Sequence, residues 1–371
     1  MKNMIREDPI SEYLEEASKQ QQQAKGMRRV GFLCNPCDPL LPLQQPETFF
    51  GENPQIKTLI AKIIDFIHES ANDLLFLKGP RGSGKTVIAH IFKEYGQKLN
   101  ILVDYQDAKT FLTEKPIHPD EKIRFKVEDK IDVIFLDRAF SIHKTLSSIN
   151  TPTKSPKIIA IMDNTEFEIY RRLCIQRGDR SYQHFLSMPH LTSTDIIDLL
   201  DRRLKACYGG LNPPITDDER EKISELAFGN PGVALKILLE FLTISRRVED
   251  IRFTFGIIPD ALKTFPSSKS PILREILVRE VRNDYLPPAK REYLIHKELT
   301  ELMSKTKSTI SHHLGDLLSG NLIYEQSTGR DLREKAYRPN KAIFGILERL
   351  AFKLTIPQDT QITFEGMNRE K

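Results

Sequence analysis

The sequence predicts an α/β protein whose core is a parallel β-sheet with helices on both faces, followed by a small helical unit and a third unit of mixed structure. The first observation is that short apolar runs alternate with stretches of helical spacing. These runs are residues 74–77, 101–103, 133–136 and 158–162. Because strands that are apolar throughout are buried on both faces, this pattern is typical of a parallel sheet covered by helices. The second observation is that such runs stop at about residue 190.

Length and composition limit the class of protein further. The chain has 371 residues, which suits two or three domains, and 39% of them are hydrophobic. No apolar run reaches the ~18 residues that a bilayer requires. The polar, acidic N-terminus is neither a signal peptide nor a transit peptide. We therefore expect a soluble protein with no membrane partner, located in the cytoplasm and associated with the nucleoid if its source is a prokaryote.

The segment before the sheet, residues 1–45, is predicted to be an N-terminal arm and an entry segment. Residues 33–46 contain four prolines, which favours an extended chain. Four cysteines are too few for a disulfide scaffold. Cys34 and Cys37 form one C-x-x-C, but Cys174 and Cys207 stand alone, whereas a zinc site needs four ligands at paired spacing. We interpret Cys34 and Cys37 as small residues in a loop.

A glycine-rich segment follows the first apolar run and opens a helical pattern. Its residues are Gly79, Pro80, Arg81, Gly82, Ser83, Gly84, Lys85 and Thr86. This is the G-x-x-x-x-G-K-T pattern of a P-loop, whose glycines let backbone N–H groups turn inward around phosphates. Lys85 is expected to reach the β- and γ-phosphates, and the Thr86 hydroxyl is expected to bind Mg²⁺. The segment predicts a site for a nucleoside triphosphate, ATP with Mg²⁺.

Two further strand ends supply candidates for the chemistry at this site. Asp137 ends the third apolar run, where a carboxylate is expected as a second Mg²⁺ ligand beside the Thr86 hydroxyl. Many such proteins carry a glutamate next, which activates the attacking water, but this chain has Arg138. A cation cannot accept that proton, so we expect hydrolysis to be slow. Asn164 ends the fourth run, where a polar side chain can orient water near the γ-phosphate; its alternative role is a strand-end cap.

Together with Phe50 and Gly51 before the P-loop, and a helical unit after the sheet, these residues resemble the AAA+ ATPases. The resemblance covers roughly residues 46–245 and implies that Phe50 and Gly51 contribute to nucleotide binding. Within that class the chain is similar to origin-recognition and replication initiators, which add a winged helix. Residues 184–204 resemble the stretch that leads those proteins into their helical lid. The predicted ATPase domain is residues 46–190, and the predicted lid is residues 191–265.

The lid departs from the initiator pattern. Its helices are predicted at residues 194–205, 217–228 and 233–242. Initiator lids usually carry Gly-Asp-x-Arg, in which the arginine senses the γ-phosphate, whereas this chain has Gly-Asn-Pro-Gly at residues 229–232. A Gly-x-Pro at this place is similar to the pattern of the STAND signalling ATPases, which are regulatory switches.

Arginine fingers act across subunits in the AAA+ ATPases. Arg177 and Arg180 lie where such a finger is expected; the alternative is that both are ordinary surface arginines.

Residues 266–350 are predicted to form a winged-helix domain, followed by a tail at 351–371. Helix, short strand, two helices and a hairpin occur in that order, and residues 305–323 resemble the winged helix-turn-helix family. The outer face of its second helix and the wing are predicted to contact duplex DNA. These candidates are Lys305, Lys307, Ser308, Ser311, His312, Arg330, Arg333 and Lys335. Seven Lys or Arg against four Asp or Glu between residues 305 and 341 predict a salt-sensitive affinity.

Three functions remain open from the sequence. The leading hypothesis is an ATP-controlled DNA-binding protein, similar to replication initiators, that hydrolyses ATP slowly and assembles with itself or with other AAA+ subunits. The alternative is a STAND-like regulator whose winged helix docks on the ATPase core or binds proteins. A third is an accessory ATPase of transposition or plasmid maintenance.

Overall fold

The structure, a computed structural model, describes most of the chain but not all of it. The described residues are 32–44, 53–70, 72–108, 131–142, 156–208, 213, 215–243, 265–286, 290–327 and 334–352. Four of the predicted site residues therefore lie outside the described residues. They are Phe50, Gly51, Arg330 and Arg333.

The α/β core predicted from the sequence is confirmed: five parallel strands form one sheet in the order β2-β3-β4-β1-β5. The strands are β1 (Leu74–Gly79), β2 (Val103–Asp107), β3 (Val133–Asp137), β4 (Lys157–Asp163) and β5 (Phe185–Ser187). In the register of the sheet, Gly79 lies opposite Asp163, and Asp107 lies opposite Asp137. Since all strands run the same way, their carboxyl ends place the P-loop, Asp107, Asp137 and Asp163 along one edge.

Alternate residues of each strand enter two separate cores. Phe76 packs with Tyr170 and other residues on one face, whereas Leu75 and Leu77 pack with Ile63 and its neighbours on the other. This is the period-two alternation that a sheet covered on both faces requires.

The second strand differs from the prediction. Residues 101–103 were expected to form it, but β2 begins only at Val103. Ile101 is buried and its N–H bonds to the Gly96 carbonyl, while the Leu102 N–H bonds to the Asp132 carboxylate. The strand itself is half-buried and polar because it lies at the sheet edge. The apolar run at residues 101–103 therefore lies mostly before β2, and the strand itself is polar. The short edge strand β5 was not predicted.

Three helices cover the sheet: α1 (Pro54–Glu69), α2 (Lys85–Tyr95) and α3 (Asn164–Arg177). The Asn53 side chain caps α1 by accepting from the N–H groups of Gln55 and Ile56, and Pro54 takes the first helical position. A capping box starts α3, in which the Glu166 carboxylate accepts from the Asp163 N–H at 2.9 Å.

The helical unit, residues 193–243, contains the three helices that the sequence predicted, with slightly different ends. They are α4 (Ser193–Cys207), α5 (Asp217–Ala227) and α6 (Pro231–Thr243). Thr192 and Thr216 cap the first two, each paired with an acid three residues later. Helix α5 packs against both of the others.

The C-terminal unit, residues 265–352, combines four helices with a three-stranded antiparallel sheet of order β6-β8-β7. Its elements are α7 (Ser270–Asp284), β6 (Leu294–Ile295), α8 (His296–Met303), α9 (Lys307–Ser319), β7 (Ile323–Ser327), β8 (Lys335–Pro339) and α10 (Phe344–Phe352). The last helix was not predicted.

The C-terminal unit docks on the α/β core through two of its helices. Helices α7 and α10 pack against each other and both contact α3. Ile346 and Leu347 of α10 are fully buried, as are Ile272 and Leu273 of α7. Apolar burial of this kind makes the contact a continuation of the core. None of the described helices is both long and apolar enough to cross a bilayer.

Candidate functional site

The P-loop lies between β1 and α2 and turns through two left-handed glycines. Gly82 has a φ of 79° and Gly84 a φ of 95°, a conformation that side chains disfavour. Lys85 is buried, and its Nζ donates to the Gly79 carbonyl at 3.0 Å, the Pro80 carbonyl at 2.9 Å and Asp163 Oδ1 at 2.9 Å. Three bonds use all the donors of an ammonium group.

The two predicted Mg²⁺ ligands lie together at one end of this loop. Thr86 Oγ1 donates to Asp137 Oδ2 at 2.8 Å, and the Tyr105 hydroxyl donates to the same oxygen at 2.8 Å. Burial and the Asp137 charge both raise the pKa of Tyr105, so the phenol stays a donor. Hydroxyl and carboxylate oxygens are the ligands that Mg²⁺ prefers, and the pair fits that ion. Bound there, Mg²⁺ would neutralise phosphate charge.

Arg138 stands where a catalytic glutamate is common, and its guanidinium is bound to Asp107. Its φ of 52° is left-handed, and its Nε donates to Asp107 Oδ1 at 2.8 Å. A second contact joins the same guanidinium to Asp107. The side chain is 49% exposed. The arrangement offers a cation here and no proton acceptor.

The residue that reaches the P-loop from the end of β4 is Asp163, one position before the predicted Asn164. Its Oδ2 accepts from Arg81 Nε at 2.8 Å, in addition to the Lys85 bond described above. Asn164 is the first residue of α3 and is half-buried. A role for Asn164 in orienting water stays a prediction.

A second carboxylate reaches the P-loop from the C-terminal unit. Glu348 of α10 is fully buried, and its Oε2 accepts from the Arg81 N–H at 2.7 Å. Its Oε1 accepts from the Thr165 hydroxyl at 2.7 Å and from the Thr165 N–H at 3.0 Å. The Arg81 guanidinium lies 4.3 Å from the centre of the Phe344 ring. Helix α10 thus bridges the P-loop and the start of α3.

The fit of α10 against the loop is close. A Cβ at Gly345 would lie 2.1 Å from the Arg81 carbonyl oxygen and 2.5 Å from Asn230 Nδ2, so a side chain there has no room. Arg349, next to Glu348, donates to the Phe228 carbonyl of the helical unit. Helix α10 therefore contacts the core, the P-loop and the helical unit at once.

Three carboxyl groups meet at this side of the P-loop: Asp163, Glu166 and Glu348. Burial, and secondarily the Asp163 charge, raise the pKa of Glu348 to about 7. The same two causes raise the pKa of Glu166, which also accepts from the Tyr285 hydroxyl at 2.7 Å. Burial therefore disfavours the ionised form of Glu166 and Glu348, and the Asp163 charge adds to this effect, although Arg81 opposes it.

The Gly-Asn-Pro-Gly run of the helical unit closes directly on the P-loop. Asn230 Nδ2 donates to the Arg81 carbonyl at 2.8 Å, and the Gly232 N–H donates to the Gly82 carbonyl at 2.9 Å. A Cβ at Gly232 would lie 2.7 Å from Gly82 Cα. The position where initiators usually carry an arginine is thus a backbone contact, and only glycine fits it.

A cavity of 1310 Å³ opens beside the P-loop. Its lining comes from the P-loop, the strand ends, the helical unit and the N-terminal segment 32–44. The lining residues include Asn35, Asp38, Pro39, Arg81, Gly82, Lys85, Thr86, Asp137, Arg138, Asp163, Pro231, Gly232, Leu235 and Tyr285. The volume is ample for a nucleotide.

The N-terminal segment is fastened to α4 by a disulfide that the sequence interpretation missed. Cys34 pairs with Cys207, 173 residues away, while Cys37 is a buried free thiol. Burial raises the pKa of that thiol, so it stays protonated. Arg203 of α4 donates to the Asp38 carbonyl at 2.6 Å. Cys34 lies in a loop, as interpreted, but its disulfide with Cys207 was missed because the two residues become adjacent only through the fold.

The predicted arginine fingers lie at the far end of α3. Arg177 is its last residue, and Arg180 follows in the next turn; both side chains are exposed. Since α3 starts at the P-loop and has 14 residues, Arg177 lies roughly 20 Å along the axis from that end. Neither arginine belongs to the nucleotide cavity of its own chain. A role across subunits stays a prediction.

The predicted DNA-contacting residues that the structure describes are all exposed. These are Lys305, Lys307, Ser308, Ser311, His312 and Lys335. On the other face of α9, Ile310, Leu314 and Leu317 are buried. Lys335 is paired with Glu325. Among the described residues no group of three or more His, Cys, Asp or Glu side chains is placed to hold a metal ion.

Sequence reasoning therefore missed four polar residues of the site: Tyr105, Asp163, Tyr285 and Glu348. Two of them had a local signal. Asp163 ends an apolar strand as Asp137 does, and Glu348 interrupts the otherwise apolar run of residues 343–347 and 350–352. Tyr105 and Tyr285 had no such signal, because only the fold brings Tyr105 to Asp137 and Tyr285 to the cavity.

Comparison with known proteins gives matches at the level of structure only. No protein-family model and no curated protein matches this chain. Cdc6p from Pyrobaculum aerophilum is 15% identical with a TM-score of 0.37, covering 81% of this chain and 93% of its own. The Aeropyrum pernix ORC1 protein in complex with DNA is 16% identical with a TM-score of 0.38, covering 79% and 91%.

The AMPPCP-bound DnaA from Aquifex aeolicus is 13% identical with a TM-score of 0.37, covering 82% of this chain and 95% of that one. These identities and scores are low.

Proposed function

We propose that this protein is a nucleotide-controlled switch of the AAA+ class, which binds ATP with Mg²⁺ at the P-loop and hydrolyses it slowly. One observation carries the proposal: Glu348 of the C-terminal unit accepts a hydrogen bond from the Arg81 N–H of the P-loop. A unit that bonds directly to a phosphate-binding loop has its position linked to what the loop holds.

The residues of the P-loop divide the work of holding the nucleotide. Backbone N–H groups of residues 82–86 and the Lys85 ammonium suit the phosphates. Thr86 and Asp137 suit Mg²⁺, and Phe50 and Gly51 are proposed to contact the nucleotide. Lys85, Asp137 and Asn164 are the proposed catalytic residues. Slow turnover follows from Arg138, whose guanidinium is committed to Asp107.

Nucleotide titration of the full chain tests this proposal. Lys85→Ala should weaken binding of ADP and ATP by roughly 10- to 150-fold, since bonds to charged groups contribute about 1.5–3 kcal/mol. Lys93→Ala, which removes an exposed lysine of the same helix, should leave binding unchanged. Equal affinity of the wild type and Lys85→Ala would contradict the nucleotide site. Fast turnover by the isolated chain would contradict the slow switch.

We further propose that the C-terminal unit is a winged helix that binds duplex DNA, as replication initiators do. Docking uses α7 and α10, which leaves the outer face of α9 exposed. The wing arginines, Arg330 and Arg333, would add phosphate contacts. The proposed domains are residues 46–190, 191–265 and 266–350, with an arm at 1–45 and a tail at 351–371. Assembly with further copies or other AAA+ subunits would bring Arg177 or Arg180 to a neighbouring nucleotide.

Duplex binding at several salt concentrations, with ADP and with ATP, tests the DNA proposal. Lys307→Ala should lower the affinity and reduce the salt slope by about one. Lys205→Ala, an exposed lysine on α4, should change neither. Absence of duplex binding in every nucleotide state would end the DNA proposal.

A STAND-like regulator is the second candidate, and the docked geometry favours it. The C-terminal unit and the Gly-Asn-Pro-Gly run both close on the P-loop, as an autoinhibited state requires. The oligomer formed with ATP separates the two candidates, because an initiator should assemble on DNA and a regulator without it. Either protein would act in the cytoplasm.

A further inference from the structure

The N-terminal segment, residues 32–44, forms one wall of the cavity beside the P-loop. Asn35, Cys37, Asp38 and Pro39 line the cavity on this side. Since the P-loop lines the same cavity, a change in the position of the segment alters the space around a bound nucleotide. The contacts that hold the segment in place therefore act on nucleotide binding.

At its start, the segment is fastened to helix α4 of the helical unit by a covalent bond and by hydrogen bonds. Cys34 forms the disulfide with Cys207, the last residue of α4, and the Leu33 N–H donates to the Cys207 carbonyl at 2.7 Å. Arg203, one turn earlier on α4, donates to the Asp38 carbonyl at 2.6 Å. The disulfide is the covalent part of this attachment.

At its other end, the segment is attached to the α/β core. Leu41–Gln44 form a single helical turn that packs against α2, the helix that follows the P-loop. Leu41 is buried, and the Tyr95 hydroxyl at the end of α2 donates to the Leu43 carbonyl at 3.4 Å. The segment thus runs along the cavity from the helical unit to the core, and the disulfide fixes its first end.

The disulfide is open to attack from one side. Cys34 is half-buried and its neighbour Leu33 is 80% exposed, whereas Cys207 is fully buried. A thiolate from solvent therefore reaches the sulfur of Cys34 and not that of Cys207. Burial raises the pKa of the Cys37 thiol, so Cys37 does not supply the attacking thiolate. Reduction needs a reductant from outside the chain, and a dithiol is the class that suits it.

We propose that the Cys34–Cys207 disulfide is a redox-sensitive site that controls how tightly the cavity holds its nucleotide. In the oxidised protein the segment is fixed along the cavity, and the nucleotide leaves slowly. In the reduced protein hydrogen bonds alone hold the first end of the segment, and the nucleotide leaves faster. A segment that is already in place costs no ordering when a nucleotide binds. This inference rests on nucleotide binding at the P-loop, as proposed above.

The reduction transfers two electrons from the dithiol to the disulfide. One thiolate of the dithiol attacks Cys34 Sγ, the bond between the two cysteine sulfurs breaks, and the Cys207 sulfur leaves as a thiolate that takes up a proton. The second thiol of the reductant then attacks the reductant sulfur of the mixed disulfide. This step forms the cyclic disulfide of the oxidised reductant and releases Cys34 as a thiol.

Release of a fluorescent ADP tests the inference. The ADP is bound with Mg²⁺ to the full chain and displaced by excess unlabelled ADP, before and after treatment with dithiothreitol. Reduction should raise the dissociation rate constant roughly tenfold, within the usual range of coupling between sites. Cys34→Ser and Cys207→Ser cannot form the bond, so each should release ADP at the reduced rate in both conditions. Cys174→Ser, which removes the buried free thiol of α3, should respond as the wild type does.

Two further measurements separate the redox response from loss of folding. Alkylation of the denatured protein should label two cysteines when the protein is oxidised and all four when it is reduced. Without nucleotide, reduction should speed hydrogen exchange at the Leu33 N–H, which bonds to the Cys207 carbonyl. Unchanged protection of the buried strand β3 shows that the reduced chain is folded.

Several outcomes would overturn the inference. Equal dissociation rates of the oxidised and the reduced wild type would end it and leave the nucleotide site standing. The same holds if Cys34→Ser releases ADP as slowly as the oxidised wild type, or if the oxidised protein carries four labels. Loss of the response in Cys174→Ser would show that the dithiol acts elsewhere. If no ADP binds in either redox state, the proposed function fails and the inference fails with it.

Discussion

The two sides of the P-loop differ in how they are built. On the Thr86 side, the partner Asp137 lies 51 residues away and ends a neighbouring strand of the same sheet. On the Arg81 side, the partner Glu348 lies 267 residues away and comes from a separate unit. The Thr86 side is formed by two local motifs, the P-loop and the end of β3, which the sheet brings together. The Arg81 side exists only while the C-terminal unit is docked.

The charges on the two sides differ as well. The Thr86 side gathers oxygen atoms around a position that suits a cation, with Tyr105 supporting Asp137. The Arg81 side holds buried carboxyl groups whose pKa values are raised by burial and by the Asp163 charge. One side therefore offers oxygen ligands that suit Mg²⁺, whereas the other joins the P-loop to α10. Changes on either side should have separable effects.

The largest expected effect comes from Gly345→Val, which breaks only the docked side. The new side chain would meet the Arg81 carbonyl, so α10 must shift. Overpacking of a buried contact costs about 3 kcal/mol, measurable as a fall in the free energy of unfolding by urea titration. Proteolysis within the C-terminal unit should also become faster.

A matched glycine in the same unit serves as the control for Gly345→Val. Gly315 lies within α9, and a Cβ there meets nothing within 4 Å. Gly315→Ala should therefore stabilise the protein by about 0.5–1 kcal/mol, as expected in a helix interior. Equal stability of the two variants would show that α10 is not held against the P-loop.

The contrast between the two sides also explains how much the sequence could predict. The parallel sheet, the P-loop and Asp137 followed from apolar runs and motif spacing, because each depends on a short stretch of chain. Asp163 could have been chosen over Asn164, since it ends β4 in register with Gly79. That register needed the strand order, which no local pattern supplies.

Features made by long-range packing escaped prediction. Cys34 meets Cys207 only because the N-terminal segment runs along α4. Strand β2 lacked an apolar run because an edge strand buries only part of each side chain. Residues 344–350, which form most of the unpredicted helix α10, were expected to be only the end of a domain, yet Glu348 is fully buried. A carboxyl group inside an apolar helix needs partners, and the sequence alone did not identify them.

A medium effect is expected from Thr86→Val, which alters only the Mg²⁺ side. The variant removes the hydroxyl that bonds Asp137 and keeps the side-chain shape. Nucleotide affinity with Mg²⁺ should fall by about tenfold, equivalent to about 1.4 kcal/mol for one charge-assisted bond. Thr86→Ser keeps the hydroxyl and should bind as the wild type does. An equal loss in excess chelator would contradict the metal role.

The smallest expected effect is a pH dependence that belongs to the docked side alone. The pKa of Glu348 is raised from 4.5 to about 7 by burial and by Asp163. A folded state with the higher pKa holds the proton more tightly, so its stabilising contribution is complete below pH 4.5 and is lost as the pH rises through about 7. The groups around Glu348 are Asp163, Arg81 and Lys85. The raised pKa of Glu166 acts with the same sign.

Raising the pH from about 6 to about 8 should therefore lower the free energy of unfolding by about 1 kcal/mol through Glu348. Urea unfolding of the wild type and of Glu348→Gln at both pH values isolates this contribution, because other titrating groups affect both proteins equally. The loss should be smaller in Glu348→Gln by that amount. If both proteins lose the same stability, Glu348 does not hold a proton in the docked state, and its carboxylate is stabilised by Arg81 and Thr165 alone.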